Sequence, residues 1–266
     1  MKNVKQLIDL SGRRAVVTGG SGFLGATFGD ALAEIGANIV LVDIDEAKLN
    51  KSAQDIMSRW GVSVEIITCD LELESERNEL IQYLHSLPSV DILVNNAAFA
   101  GTSNLEGWVV PFEEQTVDTW KRAIEVNLTA VFDLCKGCAP LLKAGMGGSI
   151  INISSIYGLS APDYRLYEGT QMGNPAAYSA SKGGLLQLTR WLSTTLAPNV
   201  RVNSISPGGV FREQPQEFVQ RYVSRTPSGR MATEEDFKGA IVYLASDLSS
   251  YMTGQNLIVD GGWTVW

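Results

Sequence analysis

The feature that most constrains the fold is an alternation of short apolar runs with longer amphipathic stretches. The short runs are rich in β-branched residues, and we interpret them as seven strands at 13–18, 38–42, 62–68, 91–95, 149–154, 201–206 and 256–259. Helix-length segments lie between them, among them 22–35, 47–60, 117–143, 175–196 and 234–244. Strands that alternate with helices predict an α/β fold, with a doubly wound parallel sheet of about seven strands.

Length and composition fit one domain. A chain of 266 residues, 45% of them hydrophobic, can bury a sizeable core. No repeat or linker divides it, so we predict a single domain over 1–266. Ligands of doubly wound sheets bind at the carboxyl ends of the strands. Two long connections, 99–116 and 156–174, are therefore predicted to be substrate loops.

Charge and cysteine content limit the partners. A formal net charge of −8 argues against nucleic acid or an anionic membrane. Three cysteines and one histidine are too few for a disulfide framework or an ordinary zinc site, so we expect no metal, a cytoplasmic location, and Cys135 and Cys138 as ordinary core or helix-face cysteines. The N-terminus lacks an apolar signal core and leads directly into a strand, so we expect a complete protein without a membrane span.

A glycine-rich turn follows the first predicted strand. The sequence TGGSGFLG at 18–25 contains G-x-G-x-x-G from Gly20 to Gly25 and begins a predicted helix. Glycine permits a tight turn, and the helix N-terminus offers amides and partial positive charge to a pyrophosphate. Glycine turns also join strands to helices for packing alone, so the motif by itself leaves both interpretations open.

Acidic residues after the next two strands favour a dinucleotide. Asp43 ends the second strand, where a carboxylate would accept hydrogen bonds from the adenosine ribose and repel a 2′-phosphate. NAD is therefore favoured over NADP, although a neighbouring base would admit NADP and a solvated strand end is an alternative. Asp70, after the third strand, is either an adenine contact or a helix cap.

Tyr178 and Lys182 stand four positions apart at the start of a predicted helix, and hence on one face. A free phenol has a pKa of about 10, and a nearby ammonium can lower it by about one to three units. The pair can therefore carry a proton, although an isolated Y-x-x-x-K pattern is common on helices.

Further polar motifs follow the other predicted strands or lie in helices. They are NNAA at 95–98, VNL at 126–128, NISS at 152–155, PG at 207–208 and VDGG at 259–262. With these motifs the chain strongly resembles the short-chain dehydrogenase/reductase family over nearly its whole length. The resemblance implies a Rossmann-type fold and an NAD-dependent oxidoreductase that interconverts a secondary alcohol and a ketone.

The resemblance also implies residue roles. Tyr178 is the general acid/base, Lys182 lowers its pKa and binds the nicotinamide ribose, Ser155 contacts the substrate oxygen, and Asn127 supports a water-linked proton relay. Ser155 is preferred to Ser154 because it is the second serine of the family's pair, and a strand-end capping role is the alternative. The implied cofactor contacts are Gly19, Ser21, Gly22, Phe23, Leu24, Asp43, Asp70, Leu71, Asn96, Tyr178, Lys182, Pro207, Gly208 and Val210.

Three departures from the family pattern stand out. The single-domain branch usually carries T-G-x-x-x-G-x-G, which would place glycine at 23, yet Phe23 stands there and Gly22 precedes it, as in the larger epimerase-type branch. Arg212 stands where the family often has a threonine that holds the carboxamide. Tyr178 also follows Ser155 at a longer interval than is usual in the family.

The segment 156–174 lies between the two catalytic candidates and is rich in polar and aromatic residues. Tyr157, Arg165 and Glu168 are predicted substrate contacts, which favours a polar, carbohydrate-like substrate over a lipid or steroid. An ordered surface loop or a subunit contact is the alternative. The 167–170 stretch also resembles, over a short length, dehydrogenases of bacterial surface-sugar pathways.

Two other functions stay open at this stage. A sugar epimerase or dehydratase would recycle NAD within one turnover, and net NADH production would exclude it. A non-catalytic dinucleotide-binding protein would bind NADH without turnover. Family resemblance further implies a homotetramer or homodimer built on the helices near 117–143 and 175–196 and on the C-terminal segment.

Overall fold

Seven parallel strands form the centre of the protein, in a computed structural model that describes residues 1–101, 103 and 105–266. The strands are β1 (Arg14–Thr18), β2 (Asn38–Asp43), β3 (Val64–Thr68), β4 (Ile92–Asn95), β5 (Gly148–Ile153), β6 (Val200–Pro207) and β7 (Asn256–Val259). They form one sheet in the order β3-β2-β1-β4-β5-β6-β7, with Val16 opposite Val40 of β2 and Leu93 of β4. The chain reverses its direction of winding between β1 and β4, which is where ligands of such sheets bind.

Nine helices are described. They are α1 (Val4–Ile8), α2 (Phe23–Glu34), α3 (Glu46–Trp60), α4 (Glu74–Ser86), α5 (Val117–Ile124), α6 (Ala130–Ala144), α7 (Ala176–Thr195), α8 (Gln216–Ser224) and α9 (Lys238–Ala245). Within the described residues no helix is long and apolar enough to cross a membrane.

Helices cover both faces of the sheet. On one face Phe28 and Leu32 of α2 pack with Phe237 and Ile241 of the α9 region. On the other face α6 and α7 cover the sheet, with Cys135 and Cys138 in this second core. Both thiols are free, and burial raises the pKa of each to about 12, so they are inert apolar residues. Burial on both faces explains why β1, β2 and β4 are nearly continuous apolar runs.

The predicted strands agree with the structure to within two residues at each end, whereas three features of the helices differ. The N-terminus does not lead directly into β1, because α1 precedes it and is capped reciprocally by Asn3 and Gln6. The predicted helix at 117–143 is interrupted by a π-helical turn, Glu125–Thr129, between α5 and α6. The predicted helix at 234–244 begins as a 3-10 helix, Glu234–Phe237, before α9.

The two predicted loops are irregular. Segment 156–174 contains two short 3-10 helices, Ile156–Gly158 and Tyr164–Leu166. Segment 99–116 carries a 3-10 helix, Phe112–Glu114, and its residues 102 and 104 lie outside the described part of the chain.

Candidate active site

A cavity of about 580 Å³ lies along the carboxyl ends of the strands. Its wall is formed by the turn after β1, the ends of β2 to β5, the start of α7 and the segment after β6. Of the predicted cofactor contacts, Ser21 is outside the wall, and those that line the cavity are Gly19, Gly22, Phe23, Leu24, Asp43, Asp70, Leu71, Asn96, Tyr178, Lys182, Pro207, Gly208 and Val210.

The glycine turn brings its backbone close to neighbouring groups. Gly19 has a φ of 66°, which favours glycine, and a Cβ atom there would lie 2.7 Å from the side-chain nitrogen of Asn96. A Cβ atom on Gly25 would overlap the carbonyl oxygen of Gly19. The Asn96 amide donates to the carbonyl oxygens of Thr18 and Gly19, at 3.0 and 3.2 Å. These contacts fix the turn and point α2 at the cavity.

Asp43 lies at the end of β2 with one carboxylate oxygen on the turn. Its Oδ2 accepts from the backbone N–H of Ser21 at 3.0 Å, and its Oδ1 accepts from that of Ile44 at 2.7 Å. The backbone N–H of Ser21 therefore holds the Asp43 carboxylate in place, although Ser21 itself does not line the cavity. Ile44 also lines the cavity and is 67% exposed, while the nearby ammonium of Lys48 is paired with Asp45 at 2.7 Å.

Lys182 is buried at the inner end of the cavity. Only 3% of it is exposed, its ammonium donates to the carbonyl oxygen of Ile153 at 2.7 Å, and its Nζ lies 5.7 Å from the centroid of the Tyr178 ring. Burial lowers the pKa of Lys182 to about 8. A charge this poorly solvated favours a ligand that supplies hydrogen-bond acceptors.

The phenol of Tyr178 behaves differently from the expectation that Lys182 lowers its pKa. Burial raises the pKa of Tyr178, and this effect outweighs the lowering by a hydrogen bond with the Ser155 side chain and by the Arg212 charge. The ammonium of Lys182 faces the ring. Without a bound ligand, the charge that lowers the pKa of Tyr178 is that of Arg212. The sequence did not predict this role for Arg212.

The two serines after β5 have different environments. The Ser154 hydroxyl donates to the backbone carbonyl of Lys182 at 2.9 Å, which ties β5 to α7. The Ser155 hydroxyl accepts from the backbone N–H of Tyr157 at 3.1 Å and lines the cavity beside Tyr178. The Ser155 hydroxyl can therefore donate a hydrogen bond into the cavity, whereas the Ser154 hydroxyl already donates to the Lys182 carbonyl.

Asn127 lies in the π-helical turn and is 1% exposed. Its side chain accepts from the backbone N–H of Phe99 at 2.8 Å and donates to the carbonyl of Phe99 at 3.0 Å and to the Ser181 hydroxyl at 3.1 Å. It holds the segment after β4 against α7, and its part in a proton relay stays a prediction.

The structure does not bring the three predicted substrate residues to the cavity. Among the described residues that line it, none comes from 156–174. The Tyr157 hydroxyl lies 2.7 Å from that of Tyr167, inside an aromatic cluster with Tyr222 and Trp263. The role of Tyr157, Arg165 and Glu168 in substrate binding stays a prediction.

Arg165 and Glu168 lie at the surface. The Arg165 side chain is 77% exposed and pairs with Asp163 at 2.9 Å, while the Glu168 backbone carbonyl accepts from Arg221. The cavity is lined instead by residues that the sequence analysis had not named as contacts, including Phe99 and Ser103 from the other predicted loop, and Arg122, Val126 and Arg212.

Comparisons with known proteins find relatives that match nearly the whole chain. A family model described as enoyl-(acyl carrier protein) reductase matches residues 22–264. The "Probable galactose dehydrogenase GalD" of Rhizobium meliloti (strain 1021) is 34% identical over 97% of both chains.

Two solved structures are also similar. A short-chain dehydrogenase from Leptospira borgpetersenii with bound NAD+ is 33% identical, with a TM-score of 0.85 over 99% of this chain and 96% of that one. A gluconate 5-dehydrogenase from Burkholderia cenocepacia J2315, in complex with NADP and tartrate, is 29% identical, with a TM-score of 0.86 over 99% and 100%. This chain therefore belongs to the short-chain dehydrogenase/reductase family, and is an oxidoreductase that interconverts alcohols and ketones at CH–OH groups.

Proposed function

We propose that this protein is an NAD-dependent dehydrogenase that oxidises a secondary alcohol of a polyhydroxylated compound, such as a sugar or sugar acid, to the ketone. One observation carries the proposal. A single cavity joins the Asp43 carboxylate and the glycine turn at one end to Ser155, Tyr178 and Lys182 at the other. A dinucleotide can therefore extend from the carboxylate to the proton-carrying group.

The residues present fit a dinucleotide. Helix α2 is preceded by its N-cap residue Gly22, and no side chain caps its first turn, so the amides at the glycine turn can receive a pyrophosphate. Asp43 would hold the adenosine ribose, and Asp70 and Leu71, which also line the cavity, would contact the adenine. Tyr178 and Lys182 would hold the nicotinamide ribose. The bound cofactor supplies a nicotinamide ring that exchanges hydride with the substrate carbon.

The protein's own residues supply the proton chemistry. Ser155 donates a hydrogen bond to the substrate oxygen and holds it against Tyr178. In oxidation the Tyr178 phenolate accepts the hydroxyl proton, and in reduction the phenol returns it. A bound ligand would accept hydrogen bonds from the Lys182 ammonium. The ammonium then stabilises the phenolate, because opposite charges attract strongly in a buried site. Asn127 fixes the backbone that surrounds this pair.

The preference for NAD rests on Asp43 and its neighbours. A 2′-phosphate would add negative charge beside this carboxylate, and Ile44, the next residue, offers no compensating cation. Lys48 is already paired with Asp45. Since similar structures bind NADP as well as NAD+, this preference is a specific expectation for this chain.

The substrate class rests on the relatives and on the cavity. Proteins named as galactose and gluconate dehydrogenases are among the similar chains, and polar groups such as Ser103 and Ser155 stand in the wall. Hydroxyl-rich substrates suit such a lining better than lipids do.

A substrate screen tests the function directly. We would follow NADH absorbance while aldoses, aldonates, polyols, alicyclic hydroxy acids and steroids are offered with NAD+. We expect net NADH formation with a polyhydroxylated compound and none with Tyr178→Phe. Activity confined to lipids or steroids would contradict the substrate class. Conversion of a sugar without net NADH would indicate an epimerase or dehydratase instead.

We also propose a homodimer or homotetramer. Trp120 of α5, Phe132 of α6 and Trp191 of α7 are large apolar residues at the surface, and exposed aromatic residues are enriched at protein interfaces. Light scattering coupled to gel filtration should give two or four times the chain mass of 28.8 kDa, and a monomer would contradict the proposal.

A further inference from the structure

Two departures from the family pattern touch each other in the structure. Phe23 stands where the single-domain branch usually has glycine, and Arg212 stands where the family often has threonine. The Cζ atom of Arg212 lies 4.3 Å from the centroid of the Phe23 ring, within the range of a cation–π contact. Both side chains line the cavity. The two unusual residues therefore form one structural feature.

This contact crosses the cleft. Phe23 follows β1 and Arg212 follows β6, and β4 and β5 lie between those strands in the sheet. With neighbouring strands about 4.8 Å apart, β1 and β6 are roughly 14 Å apart. A ligand that extends from Asp43 to Ser155 must pass the Phe23–Arg212 contact.

Arg212 is held from several sides. Its Nε donates to Oε1 of Glu234 at 3.2 Å, and its backbone N–H donates to Oε1 of Gln214 at 2.7 Å. The next residue, Glu213, has a φ of 56° and is the only non-glycine residue with positive φ in the described part of the chain. Such a conformation persists only where surrounding contacts impose it, and it is frequent at ligand-binding sites.

The two terminal nitrogens of Arg212 are available to a ligand. Among the described residues neither makes a hydrogen bond, since only Nε is used by Glu234. The other two cations of the wall already have partners. Arg122 makes two hydrogen bonds with Glu72, at 2.7 and 2.9 Å. Lys182, at the catalytic end of the cavity, donates to the Ile153 carbonyl. In a chain with a net charge of −8, an anionic ligand must be held by such local groups.

We propose that Arg212 binds the pyrophosphate of the nicotinamide dinucleotide, and that Phe23 positions its guanidinium by stacking. This inference rests on the proposed function. The planar fork of arginine matches two phosphate oxygens, and the aromatic ring fixes the plane of the fork without competing for its N–H groups. The Arg212 charge also lowers the pKa of Tyr178.

Equilibrium binding tests the proposal without turnover. Dissociation constants would be measured for NADH by its fluorescence, and for ADP-ribose and adenosine by displacement of NADH. ADP-ribose keeps the pyrophosphate but lacks nicotinamide, and adenosine lacks phosphate. The variants are Arg212→Met, Arg212→Lys and Phe23→Leu. Arg59→Met is the matched control, since Arg59 pairs with Asp30 outside the cavity.

Arg212→Met should weaken NADH and ADP-ribose about 10- to 100-fold, as expected for a lost charge-assisted hydrogen bond, and change adenosine less than about twofold. The lysine variant should fall between wild type and Arg212→Met, because it keeps the charge but loses the fork. Arg59→Met should bind all three probes like wild type. An unchanged affinity of Arg212→Met for ADP-ribose would overturn the proposal. It would do so even if the KM of an anionic substrate rose, because Arg212 would then bind the substrate and not the pyrophosphate.

The role of Phe23 is tested by a double-mutant cycle. Phe23→Leu alone should weaken ADP-ribose about three- to tenfold, and should add almost nothing in the Arg212→Met background, because the ring acts through the guanidinium. Full additivity would overturn the positioning role. If wild type binds neither NADH nor ADP-ribose, the proposed function itself is wrong. If wild type binds both and Arg212→Met binds them equally well, only this inference is wrong.

Discussion

The glycine turn lines the cavity and the segment 156–174 lies outside its wall, and the two differ in what holds them. At the turn, the positions are fixed by backbone contacts: Asn96 binds two carbonyls, and Asp43 binds the Ser21 amide. In the segment, side chains decide the conformation, through a hydroxyl pair and an aromatic cluster that reaches Trp263. The positive φ of Gly19 is favoured by the local sequence, whereas the aromatic packing of the segment depends on distant parts of the chain.

The largest effect is expected for Tyr178→Phe. Removal of the phenol oxygen removes the proton carrier while the ring keeps its packing, so kcat should fall by about 10³-fold. The dissociation constant for NADH should change far less than kcat, because Lys182 and the rest of the cavity still bind the cofactor. A variant that keeps most of its kcat, when chemistry is rate-limiting, would place the proton carrier elsewhere.

Lys182→Met should change how stability depends on pH. The pKa of Lys182 is about 8 in the folded protein, below the usual lysine value of 10.5, so the unfolded chain binds more protons between these pH values. The free energy of unfolding of wild type should therefore rise with pH across this window, by about 1 to 3 kcal/mol from this group. Below about pH 8 this gain is absent.

Urea unfolding of the ligand-free protein at pH 7 and pH 10 would measure it. Lys182→Met should lack the increment, and Lys51→Met, at an exposed position, should retain it. An identical pH dependence in wild type and Lys182→Met would show that the ammonium is better solvated than its surroundings indicate.

The choice between NAD and NADP tests the role of Asp43, which lies beside the glycine turn. The ratio of kcat/KM for NAD over NADP should be at least about tenfold, equivalent to about 1.4 kcal/mol, because Asp43 repels a 2′-phosphate. Asp43→Ser should reduce that ratio mainly by improving NADP. If wild type prefers NADP, then Asp43 does not act on the ribose in the way proposed.

A smaller effect is expected at the segment's own hydroxyl pair. Tyr157→Phe removes one partner of the contact with Tyr167 and should lower the free energy of unfolding by about 1 kcal/mol. Tyr251→Phe, at a fully exposed position, is the control and should change stability negligibly. Equal stability of the two variants would mean that packing alone holds the segment.

The smallest effect is expected for Arg165→Ala and Glu168→Ala. Both residues lie at the surface, and Arg165 is engaged with Asp163, so the KM of the preferred substrate should change by less than about twofold, as for ordinary surface changes. A several-fold rise in KM with unchanged NADH affinity would show that the segment binds substrate, as its sequence predicts.

These expectations reflect what the sequence could and could not reveal. The strands β1, β2 and β4 were predictable because burial on both faces favours continuous apolar runs. The positions of Gly19, Asp43 and Ser155 on the cavity were predictable because the ends of parallel strands converge on one edge, and that of Tyr178 followed from the family resemblance. The direction in which Tyr157 turns was not, because it depends on α8 and Trp263, far away along the chain. Nor was the contact of Arg212 with Phe23, which joins residues on either side of the sheet's central strands.

The π-helical turn at Glu125–Thr129 restricts where this chain can change length. A deletion of one residue there would allow a regular helix, which is locally more favourable, but would rotate α5 by about 100° relative to α6. Ala123, fully buried on α5, and Asn127, which binds Phe99, could then no longer both face inward. Insertions and deletions should thus be tolerated in the irregular segment 99–116 and rejected at this turn, although both lie beside the same cleft.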